Sequence, residues 1–566
     1  MAAPVPYMIV PPTGADQSDE WVKLGVKAQT SNALPEAQSH LENALRIRPD
    51  NHIATLNLAI CHAQSSRINE ALLTVERACI LNPKHAFTWM NRAIMCMEAD
   101  RIDEAIECAE LSVSLEENEH TLLPLAMLYP MAGMPERSIP LYEKILKLNP
   151  KHFHAAPNLC FTQTLAPVGP EALAASRKAW YEIYKYRGVK QAHRVDTVPG
   201  RKLRIGYLSG DFKTHSAAMI FGNVIAEHDL EKFEVFLYST LLVEADKDLK
   251  TKFFMDLAKD HFRPVFDKNP DELEAIIRGD QIDILVDLAG HTHGGRLETF
   301  TRKAAPIQVT AWGFAHGTGV PEIDYFFADP VSVPENEREH FVEKIWDLPS
   351  IITYQAPHEY KTAPDGNSPL PFYFNEYITF GVFSRYEKLS DFTISTFYEI
   401  LKQVPTSRIY FKDHGFRRPY SLKRVMALMK DIDPARFLFG ISTSHYDHML
   451  TYQKADIGLD MFPHGGGVVS LEQLYMGLPL VTLYGTQPAG RSAASVLTAM
   501  GHEELIARSA DEYIKLAVDL AADPVQLVKY RKTLRHDLLE SPVIKGYTKN
   551  VEDAYTQMFE KLVSSK

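Results

Sequence analysis

The apolar positions along the chain keep one period up to about residue 160 and another after residue 200. In the first stretch Trp21, Thr55, Trp89 and Leu123 recur every 34 residues, in phase with Gly25, Ala59, Ala93 and Met127. A breaker follows each unit, at Pro49, Pro83, Glu117 and Pro150, with Ile47, Leu81, Leu115 and Leu148 two residues before it. That spacing predicts paired amphipathic helices, and small residues such as Ala44 and Ala78 let the pairs approach closely. Helical pattern continues through Pro170 to Tyr186, and 188–201 reads as a hand-over to a different architecture. From Lys202 short apolar runs replace it, at Leu203–Leu208, Phe233–Tyr238 and Ile282–Leu288, separated by amphipathic segments such as Pro270–Arg278. These predict buried parallel strands alternating with helices. A Pro- and Gly-containing stretch at Ala363–Pro371 reads as a linker, after which runs at Ile378–Phe383, Arg408–Lys412, Ile457–Leu459 and Leu480–Leu483 predict a second lobe of the same kind.

The 34-residue period is that of a tetratricopeptide repeat, and Trp21-x-x-Leu24-Gly25 matches the start of its signature. Such repeats stack into a superhelix with a concave groove, here read as a dock for a protein or peptide. The expected architecture is therefore multidomain, α followed by α/β. It has a repeat superhelix with a helical linker over 1–195, a Rossmann-like lobe over 200–365, and a second, nucleotide-binding lobe over 372–566 with closing C-terminal helices. Ligands of such sheets sit beyond the carboxyl ends of the strands, so the space between the lobes is where a site is expected.

Composition narrows the partners. Hydrophobic residues at 45% and charged residues at 23% are ordinary globular usage, and a net charge of −12 without a basic block argues against nucleic acid. No apolar run is long enough to span a membrane, and the opening residues lack a secretory pattern, so cytoplasmic residence is the expectation. The five cysteines, Cys61, Cys79, Cys96, Cys108 and Cys160, show no paired spacing and read as buried thiols.

The segment Asp456–Gly485 carries the densest chemistry. A strand ends in Asp460-Met-Phe-Pro-His464, Gly465, Gly466 and Gly467 follow, and a helix carries Val469 and Glu472. Three glycines at a helix start can bring backbone N–H groups to a diphosphate, and Glu472 stands where a carboxylate could accept from ribose hydroxyls. His215, after the loop 210–214, offers an imidazole that accepts a proton near neutrality. Asp287 and His291 form a second polar strand end, read as acceptor or sugar contacts. Arg491, at the start of another helix, is a weaker phosphate candidate. The Asp-x-Asp tripeptides at 246–248 and 431–433 read as solvated turn carboxylates, so no metal ligand is assigned.

Five stretches together resemble the O-GlcNAc transferase family of GT-B glycosyltransferases: Arg204–His215, Asp283–Thr292, Ala305 through Gly319, Phe383–Lys388 and His464–Thr482. The resemblance implies a nucleotide-sugar donor and inversion without a metal or other cofactor. It implies that Lys388 contacts the donor diphosphate, that His448 packs on the base with Thr443 backbone groups at its edge, and that His215 is a candidate base. Arg385 departs from the glutamine of eukaryotic members, which implies either a second phosphate donor or an altered donor preference. The leading expectation is transfer of N-acetylglucosamine from UDP-GlcNAc to protein Ser or Thr hydroxyls. A protein O-fucosyltransferase using GDP-fucose, a nucleotide-sugar epimerase and a non-catalytic scaffold are the other readings.

Overall fold

The computed structural model describes residues 6–242, 248–355, 368–441 and 444–565. Helices come first, in four antiparallel pairs: Gln17–Thr30 with Leu34–Ile47, His52–Gln64 with Ile68–Leu81, Ala86–Glu98 with Ile102–Leu115, and Glu119–Met131 with Pro135–Leu148. Each pair buries the small residues its register supplies; Ala44, Ala59, Ala78 and Ala93 are fully enclosed. Side chains close the helix starts. Asp16 and Asn51 accept from the N–H groups of Asp19 and Ala54, and Asn118 with Thr121 forms a reciprocal capping box. The chain separates into two compact units, and this helical one ends at Ala155, with Arg418–Lys423 grouped beside it. The helical linker assigned to the arm from sequence therefore belongs with the other unit. There the helix Pro170–Tyr184 is tied by Arg177 to the Gly317 carbonyl (3.0 Å) and by Tyr181 to Glu322 (2.9 Å).

That second unit holds two parallel sheets. The first has seven strands: β1 (Leu203–Ser209), β2 (Phe233–Ser239), β3 (Phe262–Pro264), β4 (Ile284–Asp287), β5 (Ile307–Thr310), β6 (Tyr325–Ala328) and β7 (Lys344–Asp347), ordered β3-β2-β1-β4-β5-β6-β7. The second has six: β8 (Thr379–Val382), β9 (Arg408–Lys412), β10 (Phe437–Gly440), β11 (Ile457–Leu459), β12 (Leu480–Leu483) and β13 (Ile506–Ala507), ordered β10-β9-β8-β11-β12-β13. Both orders reverse beside their first strand, next to β4 and next to β11, and a crevice opens at such a reversal. The chain thus consists of tetratricopeptide-like helical repeats followed by a GT-B-like α/β unit.

The central strands are buried on both faces, which is why they read as continuous apolar runs. The closing helix, Tyr547–Ser564, returns to the first sheet: Tyr555 meets the Tyr207 hydroxyl at 3.1 Å, and Trp312 donates to Tyr547 at 3.0 Å.

Candidate functional site

Lys388 and the glycine run meet. Lys388 lies just beyond β8 and the glycines just beyond β11, the adjacent strands at the reversal of the second sheet. Its ammonium donates to the Gly465 carbonyl at 2.6 Å. Burial, followed by the neighbouring Arg385 charge, pulls the Lys388 pKa down to about 7, with Asp460 opposing. An ammonium in this condition gains from an arriving anion.

The glycines serve a division of labour that their sequence does not show. Gly465 N–H donates to the Ala489 carbonyl (3.2 Å) and Gly466 N–H to Asp460 (2.7 Å), so both point inward. A Cβ at Gly466 would lie 2.3 Å from the Ser470 hydroxyl, and one at Gly465 would lie 2.9 Å from the Asp460 carboxylate, so both positions need glycine for close approach. The donors left at the start of the helix Val468–Tyr475 are the N–H groups of Gly467, Val468 and Val469, which bond no partner among the described residues. The unengaged donors are thus shifted by two residues from the expected phosphate-facing set.

His464 is partly buried, with Nδ1 3.1 Å from the Thr164 carbonyl. Burial, then the charges of Lys388, His316 and Arg385, hold its pKa well below the ordinary range, so the ring is neutral. Arg385 itself is exposed, and it also depresses the titration of His215 across the interlobe space. It is therefore the shared electrostatic neighbour of Lys388, His464 and His215.

His215 caps the helix Ser216–Ala226. Its Nδ1 lies 3.3 Å from the Ala217 N–H and 3.4 Å from the Asp211 carboxylate. These contacts select opposite tautomers. Nδ1–H directed at Asp211 leaves a lone pair on Nε2, whereas acceptance from Ala217 places the proton on Nε2. Burial lowers the His215 pKa despite Asp211, which keeps the ring neutral near pH 7.

Three of the expected contact groups are engaged within the chain. Glu472 is 2% exposed, and its carboxylate is engaged within the chain. It accepts from His445 Nε2 (2.7 Å), His448 Nε2 (3.1 Å) and the Tyr452 hydroxyl (2.7 Å). Burial alone would raise its pKa, yet the bonds from His445 and His448 bring it to about 2. Its work is to orient two imidazoles. Asp287 is fully buried: its carboxylate accepts from Ala289 and Gly290 N–H and from the Thr310 hydroxyl (2.8 Å), shaping the turn after β4. His291, beside it, is also buried; Nε2 meets the Thr318 carbonyl at 2.7 Å and desolvation lowers its pKa to about 4. Arg491 is 3% exposed and braces the lobes through Glu337 (2.5 and 2.8 Å) and the Gly485 and Ser332 carbonyls.

His448 lies between β9 and Glu472. Its Nδ1 faces the Lys412 ammonium at the end of β9, while Nε2 is shared by Glu472 and Tyr452 (2.8 Å). Lys412, His445 and Tyr452 are the members that sequence reasoning missed. His445 and His448 stand three apart on the helix His445–Thr451, a spacing that puts both on one face and was a usable signal. Thr443 and Asp246 lie outside the described residues. Asp248 caps a helix and accepts from Thr214 N–H (2.9 Å), Asp431 accepts from Tyr398 (2.8 Å), and Asp433 caps a short turn. Among the described residues no group of three His, Cys, Asp or Glu is placed to hold a metal ion, and no helix is long and apolar enough to cross a membrane. All five cysteines are buried and free.

Comparison with known proteins adds the following. Residues 182–356 and 370–551 match the model described as glycosyl transferase family 41, and residues 30–86 match a tetratricopeptide repeat model. SPINDLY of Solanum lycopersicum, named a probable UDP-N-acetylglucosamine–peptide N-acetylglucosaminyltransferase, is 33% identical over 64% of this chain and 39% of its own length. The protein of that name from Oryza sativa subsp. japonica is 32% identical over 74% of this chain and 46% of its own. The chain thus spans less than half the length of these curated relatives. A solved structure of a mutant O-GlcNAc transferase from Thermobaculum terrenum matches with a TM-score of 0.75 and 26% identity, covering 98% of this chain and all of that one.

Proposed function

The chain belongs to glycosyl transferase family 41, and from that premise we propose that it transfers N-acetylglucosamine from UDP-GlcNAc to Ser or Thr hydroxyls of a protein held by the repeat arm, with inversion, without a metal, and in the cytoplasm. One observation carries the donor part of the reading: the Lys388 ammonium lies on the Gly465 carbonyl, directly before a helix start whose Gly467, Val468 and Val469 N–H groups are unengaged. A pyrophosphate seated there receives the positive end of a helix dipole and an ammonium already depleted of its charge-stabilising surroundings. Both act most strongly on the leaving nucleotide, whose charge grows as the bond to the sugar breaks. Arg385 supplies a second cation at the open side.

The nucleoside then falls toward β9 and β11, where Glu472 fixes His445 and His448 and leaves an imidazole face for a flat base. On the facing lobe, His215 in the tautomer with Nδ1–H toward Asp211 accepts the hydroxyl proton at Nε2. The acceptor oxygen bonds to the anomeric carbon as the carbon–oxygen bond to the diphosphate breaks, and the electron pair leaves with the nucleotide.

Binding of UDP-GlcNAc, UDP-glucose and GDP-fucose, measured side by side by calorimetry, tests the donor. UDP-GlcNAc binds tightest on this reading; affinity for GDP with none for UDP overturns it. Transfer measured in excess EDTA tests the metal statement: the rate stays unchanged, and loss with recovery on adding manganese refutes it.

A further inference from the structure

The groove side of the repeat arm is occupied by the chain's own amino-terminal segment. Met8 N–H donates to Asn91 Oδ1 (3.0 Å) while Asn91 Nδ2 donates to the Met8 carbonyl (3.2 Å). Val10 does the same with Asn57, its N–H to Oδ1 at 3.0 Å and its carbonyl from Nδ2 at 2.6 Å. Asn57 and Asn91 occupy one column of the 34-residue repeat, on the helices His52–Gln64 and Ala86–Glu98, and both are fully enclosed with the segment in place. Each side-chain amide thus imitates one residue of a neighbouring β-strand and reads main chain alone.

The register explains the extent of this ladder. The two rungs are two residues apart, so the segment is extended and shows the same edge to successive repeats. One step further each way, Pro12 falls in register with Lys23 and Pro6 with Leu125. A residue without an N–H then meets a side chain without an amide, and pairing stops. Along the same segment, Tyr7, Ile9 and Val10 pack against the apolar cluster that includes Leu56, Ala59, Ile60 and Ala63.

We infer that residues 6–12 are a built-in pseudo-ligand, which through Asn57 and Asn91 holds the place on these helices that an external extended polypeptide would take. An external polypeptide gains the arm only by displacing this segment. A tether of this kind supplies an effective concentration on the order of millimolar. If the free segment binds at roughly 0.1 mM, the apparent affinity of any competitor falls about tenfold.

The probe is a fluorescein-labelled peptide with the sequence of residues 6–13, followed by anisotropy in the absence of nucleotide sugar, so the result is independent of the donor reading. Two variants free the groove: deletion of residues 1–13, and Met8→Pro with Val10→Pro in the full chain, which removes both N–H donors and leaves the arm untouched. Both are expected to bind the probe about tenfold tighter than the full chain, and Asn57→Ala with Asn91→Ala in either background is expected to abolish that binding. Equal affinity of the full and freed chains overturns the inference, as does probe binding that survives loss of both asparagines. Unchanged thermal melting of the proline variant separates either result from misfolding.

Discussion

Donor binding at neutral pH is expected to take up a proton, and the ammonium of Lys388 is the reason. Free of ligand, its pKa is about 7, because burial and the Arg385 charge outweigh Asp460. A pyrophosphate seated against it returns the group toward the ordinary lysine range near 10.4. Only the charged form favours the ligand, so affinity from this group is level below pH 7. It then falls about tenfold per pH unit above 7 until the pKa of the complex is reached. At pH 8 about nine tenths of the free protein carries neutral Lys388, and binding takes up about 0.9 proton; at pH 6 the uptake is about 0.1. Calorimetric titration of UDP-GlcNAc in two buffers of different ionisation enthalpy reads these numbers directly. Lys388→Arg keeps the charge, so its uptake at pH 8 is expected near zero. Lys388→Met loses the charge and about 1.5 to 3 kcal/mol of binding, roughly 10- to 150-fold in Kd. Proton uptake at pH 8 that is absent in the wild type, or that persists in the arginine variant, refutes the placement of the ammonium at the anion.

The remaining expectations concern neighbouring groups. Glu472→Gln removes a carboxylate whose pKa is held at about 2; the stability it contributes is present above its ordinary value near 4.3 and is lost as pH falls through 2. The variant should melt lower at pH 7, by about 3 kcal/mol at most, with the gap closing between pH 4.5 and 2; a pH-independent gap contradicts the assignment. His215→Ala should lower kcat on the order of 10² to 10⁴-fold with donor Kd unchanged, and Asp211→Asn should reproduce part of that loss without moving KM. Activity retained in both would show that another group takes the proton. Asp287→Asn should cost about 1 to 3 kcal/mol of stability and leave donor Kd within twofold, because its oxygens serve only the turn after β4; a large change in Kd with unaltered melting would restore it to the binding surface.

The long-period features were readable and the short ones were not. Repeats announced themselves because four units keep phase, and the central strands because both faces are buried. The strands Phe262–Pro264, Ile307–Thr310, Tyr325–Ala328, Lys344–Asp347, Phe437–Gly440 and Ile506–Ala507 escaped, since runs of two to four residues carry no distinctive pattern even where, as at Ile307–Thr310, they are buried. Lys388 and the glycine helix start were found together because each follows a recognisable strand. Which charged groups are engaged within the chain was invisible. Glu472, Asp287 and Arg491 all sit at motif positions, and each meets a partner distant in sequence or on an unrecognised helix: His445 for Glu472, Thr310 for Asp287 and Glu337 for Arg491.

The closing helix has a mechanical consequence. Because Tyr555 and Tyr547 fasten it to Tyr207 and Trp312, and Glu552 to the Asp229 N–H at 2.7 Å, the polypeptide crosses between the lobes twice, once near residue 355 and again near Val543. In any opening that admits a donor, the tail therefore travels as part of the first lobe. A fusion or truncation at the carboxyl end is expected to loosen the lobe farthest from it in the chain.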